Sequence, residues 1–106
     1  MEIVFQSHRA EVSDHMREKA HRALTKLGSR LSRAVNALVR FEEDGPTRRV
    51  EIVLHAPKNR RLVASGEARF FGPALATAVT RLEAQAREVK RAVRSRTRTG
   101  RLLERE

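Results

Sequence analysis

Five basic side chains near the start of this sequence are spaced to act as one group. His15, Lys19, Arg22, Lys26 and Arg30 step by four, three, four and four. On a helix that spacing puts all five in one stripe. The chemistry of such a stripe is recognition rather than catalysis, since ammonium and guanidinium groups at helical intervals neutralise the phosphates of a nucleic acid. A second set follows the same logic further on. Arg87, Lys90, Arg91 and Arg94, with Arg81 nearby, fall on the side of a helical pattern away from its apolar residues.

Groups suited to bond-making chemistry are missing. There is no cysteine, so disulfides and thiolate metal sites are excluded. His8, His15, His21 and His55 have no metal-ligand spacing, and His55 alternates with apolar residues as on the exposed face of a strand. Neither a G-x-x-x-x-G-K-[ST] loop nor a G-x-S-x-G elbow occurs. Glu42, Glu43 and Asp44 cluster directly before Gly45-Pro46 and read as a solvated turn rather than an acid–base pair. Phe70 and Phe71 are expected to close the core rather than to stack bases, as are Phe5 and Phe41. With no Trp or Tyr, an aromatic RNA-binding sheet is not expected. The expectation is a non-enzymatic protein with no cofactor, metal or small-molecule substrate.

The charge is placed, not scattered. The 106 residues carry 23 Lys and Arg against 13 Asp and Glu, a net of +10. Residues 15–33 hold six basic and one acidic residue, and residues 81–106 hold nine and four. Each segment is therefore +5, and everything else cancels. Such a balance speaks of polyanionic partners rather than of fold. The N-terminus has no basic and apolar leader, and no apolar run approaches the roughly 20 residues of a membrane span. A cytoplasmic protein that does not enter membranes is expected.

The elements that must position these cations follow from periodicity. "EIVFQ" is a strand. Ser13 is a helix N-cap with Asp14 behind it, and Met16, Ala20, Ala23, Leu24, Leu27 and Leu31 recur at helical spacing. Three strands follow, around Val35–Glu42, Val50–Ala56 and Arg61–Arg69, divided by the turns "EEDGP" and "PKNR". Gly72-Pro73 opens a closing helix whose Leu75, Val79, Leu82, Ala86, Val89 and Val93 form a stripe. The order is β-α-β-β-β-α, an α+β fold akin to a double-stranded-RNA-binding domain. The strands alternate apolar and polar, so one sheet face is covered and both helices lie on it. Residues 1–94 are read as one domain, and residues 95–106, where the stripe is lost, as a basic flexible arm.

Three strings carry a resemblance. "VSDHMREKAHRALTKL", "VEIVLHAPKNRRLVASGEA" and "ALATAVTRLEAQAREVK" are similar, in unbroken order, to the first helix, the third and fourth strands and the last helix of one family. The chain resembles the ribosome hibernation-promoting factors and the ribosome-associated translation inhibitor of the sigma-54 modulation family, over about residues 2–94. The resemblance implies a protein that binds the small ribosomal subunit, occupies the channel for mRNA and tRNA and silences idle ribosomes. It also implies rRNA contacts at Lys26, Arg81, Lys90 and Arg17. The charge pattern alone adds Lys19, Arg22, Arg30, Arg87, Arg91 and Arg94. The family's Asp-x-Tyr before the last helix is absent from "RFFGPALATAV", and its mid-helix Lys falls at Ala23. The free protein is expected to be a monomer. A general double-stranded RNA-binding module and a protein-interaction regulator of transcription are the alternative readings.

Overall fold

Alternation decides the sheet. The computed structural model describes residues 2–30, 36–56 and 60–105, with side chains described as far as Ser29 in the first helix and Glu88 in the last. The elements are β1 (Glu2–His8), α1 (Asp14–Arg30), β2 (Asn36–Asp44), β3 (Thr47–Ala56), β4 (Arg60–Ala68) and α2 (Phe71–Arg105). The strands lie in the order β1-β2-β3-β4, with β1 parallel to β2 across α1 and the other neighbours antiparallel. Ala37, Val39 and Phe41, then Val50, Ile52 and Leu54, then Ala64, point to one face and are buried there. Ala20, Leu24 and Leu27 of α1 share one cluster with Ala74, Leu75, Ala78, Leu82 and Ala86 of α2. The fold is therefore the expected α+β arrangement, with both helices on one side of a four-stranded mixed sheet.

Local chemistry sets the helix ends. The Ser13 Oγ accepts from Met16 N–H at 3.2 Å and the Ser13 carbonyl from Arg17 N–H at 3.1 Å, which is N-cap geometry. Gly28 does not end α1, which continues to Arg30. The last helix begins earlier than Gly72-Pro73 suggests. Ala74 N–H donates to the Phe70 carbonyl at 3.3 Å, so Phe70 is the capping position, and Pro73 sits in the first turn where its missing N–H costs nothing. This start splits the aromatic pair. Phe71 packs edge-on against Phe41 with ring centroids 5.4 Å apart, whereas Phe70 is 70% exposed. Only one of the two closes the core. At its far end α2 runs on past residue 94 to Arg105, where the sequence suggests a flexible arm. From Ser95 to Arg105 there is no proline and Gly100 is the only breaker, so helix formers such as Arg and Leu sustain the turn without an apolar stripe.

The turn between β2 and β3 is closed by Gly45 at φ +58°, and Arg48 ties it with a bond to the Gly45 carbonyl at 3.1 Å and an ion pair to Glu43 at 3.2 Å. The first three residues of the turn "PKNR", 57–59, lie outside the described residues, as do Leu31 and Val35, and its Arg60 opens β4. On β4, Gly66 lies directly under α2. A Cβ there would meet Ala78 N and Thr77 Cβ at 2.9 Å and collide with the Ala74 carbonyl oxygen. Glycine lets the first turns of α2 lie on the backbone of β4.

Candidate nucleic-acid interface

Burial of Ala20, Leu24 and Leu27 fixes the rotation of α1 and turns its opposite side outward. His15, Lys19, Arg22 and Lys26 are all exposed there. At 1.5 Å rise per residue the stripe from His15 to Lys26 is roughly 16 Å long. Arg22 is held by Glu18 one turn earlier, with Nη2 to Oε1 at 3.1 Å between two exposed side chains, a pair worth a few tenths of a kcal/mol. A phosphate can displace so weak a partner. Ser29 Oγ donates to the Lys26 carbonyl at 2.7 Å, which ties down the helix end beneath this cation. On α2, Arg87 is exposed. The side chains of Arg30, Lys90, Arg91 and Arg94 lie outside those described, although their backbones continue α1 and α2.

Two expected contacts sit elsewhere. Arg17 precedes Leu24 by two helical turns, so it shares the core side of α1 rather than the stripe. It is nonetheless exposed, and it borders a recess with Phe5, Val12 and Phe41. Arg81 leans over the outer edge of β4. Its Nη1 donates to the Ser65 carbonyl at 2.8 Å, and Gln85 Nε2, one turn on, donates to the Val63 carbonyl at 2.6 Å. These bonds cover an otherwise open strand edge. The sequence gives no sign of this role, because which strand lies beside α2 is settled only by tertiary packing. Arg81 keeps four of its five N–H donors for other partners. Its truncation is expected to show the dual role. Arg81→Ala should lower stability by about 1 kcal/mol and Arg87→Ala by much less, as read from urea midpoints at unchanged m-value.

The electrostatic division follows the layers. The helix side carries the basic stripe, while the open sheet face mixes signs, with ion pairs Arg40–Glu51 at 3.8 Å, Arg49–Glu51 at 3.4 Å and Arg49–Glu67 at 3.8 Å. No group of three or more His, Asp or Glu among the described residues is placed to hold a metal ion. No helix among the described residues is long and apolar enough to cross a membrane. Such a surface can bind a polyanion through many weak contacts.

Comparison with known proteins agrees with this fold. Residues 3–94 match the family model described as sigma 54 modulation protein / S30EA ribosomal protein. Among solved structures, a ribosomal subunit interface protein from Coxiella burnetii is similar at 18% identity and a TM-score of 0.79, covering 85% of this chain and 98% of that one. The N-terminal domain of Protein Y from Thermus thermophilus is similar at 24% identity and a TM-score of 0.75, covering 84% of this chain and 99% of that one. A search of curated proteins finds no match.

Proposed function

The chain belongs to the sigma 54 modulation protein / S30EA ribosomal protein family, and from that premise we propose that it silences ribosomes by lodging in the mRNA and tRNA channel of the small subunit. The family is one of ribosome-associated factors, and the action is occupancy rather than catalysis. One observation carries the reading. Nearly all of the charge excess falls on two helices that lie on the same sheet face, +3 on α1 (five basic, two acidic) and +6 on α2 (nine basic, three acidic) of a total of +10, and the described cations of the α1 stripe point outward from it. Lys19, Arg22, Lys26 and Arg87 face rRNA phosphates, and Arg30, Lys90, Arg91 and Arg94 extend the same surface. Arg81 contributes from the β4 rim and Arg17 from the sheet end. Residues 1–94 are the binding module, and the cations from Arg96 onward strengthen it. The site of action is the cytoplasm, where ribosomes are.

A general duplex-RNA module is the competing reading, because α1, three strands and α2 are also that domain's order. Sedimentation with purified small subunits at low salt separates the two. The protein is expected to travel with the subunit and to stay there when a molar excess of naked duplex RNA is added. Protein left at the top of the gradient would overturn the proposal, and release by duplex RNA would favour the competitor.

A further inference from the structure

The sheet face away from the helices has a pattern that reads the same from both edges. The strand registers lay its residues out in rows across β1, β2, β3 and β4. One row is Val4, Leu38, Val53 and Val63, apolar from edge to edge. The row on one side of it is Glu2, Asn36, His55 and Arg61. On the other side come Gln6, Arg40, Glu51 and Ser65, and then His8, Glu42, Arg49 and Glu67. Charges reverse about the line between β2 and β3, whereas the apolar row is unchanged by that reversal.

This is the condition for an isologous interface, in which one patch meets its own copy about a two-fold axis. With the axis along the strands between β2 and β3, two sheets stacked face to face bring each row onto itself, reversed. Val4 then meets the partner's Val63, and Leu38 meets the partner's Val53. Arg40 faces the partner's Glu51, Glu42 faces the partner's Arg49, Glu2 faces the partner's Arg61, and His8 faces the partner's Glu67. Each of these charged positions meets its opposite or an imidazole. The crossing of about −30° between aligned sheets keeps the central pairs closest and spreads the corner ones.

We propose that the open sheet face is a docking site for a second copy of this chain. The two ends of its apolar row are open, with Val4 44% and Val63 37% exposed, while Leu38 is half-buried and Val53 buried between them, so stacking removes apolar surface from water mainly at the ends of the row. Arg49 carries a second sign of incompleteness. Its side chain is 42% exposed and meets Glu51 and Glu67 only at 3.4 and 3.8 Å, and the partner's Glu42 would bring another carboxylate to the open side of this guanidinium. The area limits the strength. Four strands about 4.8 Å apart and seven residues of about 3.3 Å give roughly 450 Å² a side, below the standard interface. The dimer is accordingly reversible, with a dissociation constant between micromolar and millimolar, and the chain is a monomer when dilute. Both basic helix faces stay outside the contact.

Sedimentation equilibrium of the full chain without ribosomes tests this independently of the proposed function. The mass should climb from 12.1 kDa toward twice that as concentration rises to millimolar. One variant carries Glu42→Arg and Glu51→Arg, the other Arg40→Glu and Arg49→Glu. Each alone sets like charges against like and should dimerise at least tenfold more weakly. An equimolar mixture should recover the wild-type constant within a few-fold, an outcome that rearrangement inside one chain cannot produce. Circular dichroism establishes that each variant is folded. Should the reversals unfold it, Val4→Lys with Val63→Lys, at exposed edge-strand positions, must abolish the dimer on its own. A mass of 12.1 kDa at every concentration overturns the proposal. So does a folded variant that dimerises as tightly as the wild type.

Discussion

Gly66→Ala is expected to destroy most of the stability of this protein, although it adds a single methyl group. The added carbon would collide with the Ala74 carbonyl and press on Ala78 N and Thr77 Cβ at 2.9 Å. Two of these three neighbours are helix backbone and cannot rotate away, so α2 must lift from β4. Lifting it opens the contacts of Ala74, Leu75 and Ala78, all fully or almost fully buried. Overpacking costs about 1–3 kcal/mol where side chains can yield. Where backbone blocks the way, about 3 kcal/mol or more is expected, a large share of a total near 5–15 kcal/mol. Gly72→Ala is the control. A Cβ there meets nothing within 4 Å, so the change should be neutral or slightly stabilising. Urea unfolding followed by circular dichroism reads both, and equal midpoints for the two variants would mean that α2 does not lie on β4 as described.

The second large effect concerns binding alone. Reversing Lys19, Lys26 and Arg87 to glutamate removes three exposed cations from the proposed face and adds three anions, none of which touches the core. Each lost phosphate contact is worth on the order of 1 kcal/mol or more. The triple variant should therefore bind small subunits at least a hundredfold more weakly, since each 1.4 kcal/mol is about a factor of ten. The slope of log affinity against log salt should also fall by about two to three, at roughly 0.7–0.9 per phosphate. The thermal midpoint should barely move. Unchanged affinity with an unchanged salt slope would show that another face meets the ribosome.

The elements were legible because each carried its own local signal. Ser13 before an apolar stripe marks the start of α1, and the alternation from Ala37 to Phe41 marks β2, with no need to know what either packs against. At the start of α2 the local Gly72-Pro73 signal points too late, because packing of Phe71 against the core draws the helix start back to it. Arg17 and Arg81 show a different limit. Their basic character is visible in the sequence, but the sheet end beside Arg17 and the strand edge beneath Arg81 exist only once distant elements meet. The mirrored rows of the open face belong to the same class. Glu42 and Arg49 are ordinary surface residues until the register of three strand pairs sets each at its distance from the midline.

One feature of the topology bears on when the protein can act. The chain makes β1 and α1 first, yet β1 pairs only with β2, and α1 buries Leu24 against strands not yet made. The last cover is α2, which follows all four strands and shields β3 and β4 with Leu75, Ala78 and Leu82. During synthesis the two basic segments therefore emerge far apart in time, and the later one completes the core as it arrives. On the proposed function, the growing chain offers the ribosome that makes it no finished binding surface. On that reading delay is built into the order of the segments, since the proposed surface is complete only once α2 closes on the sheet.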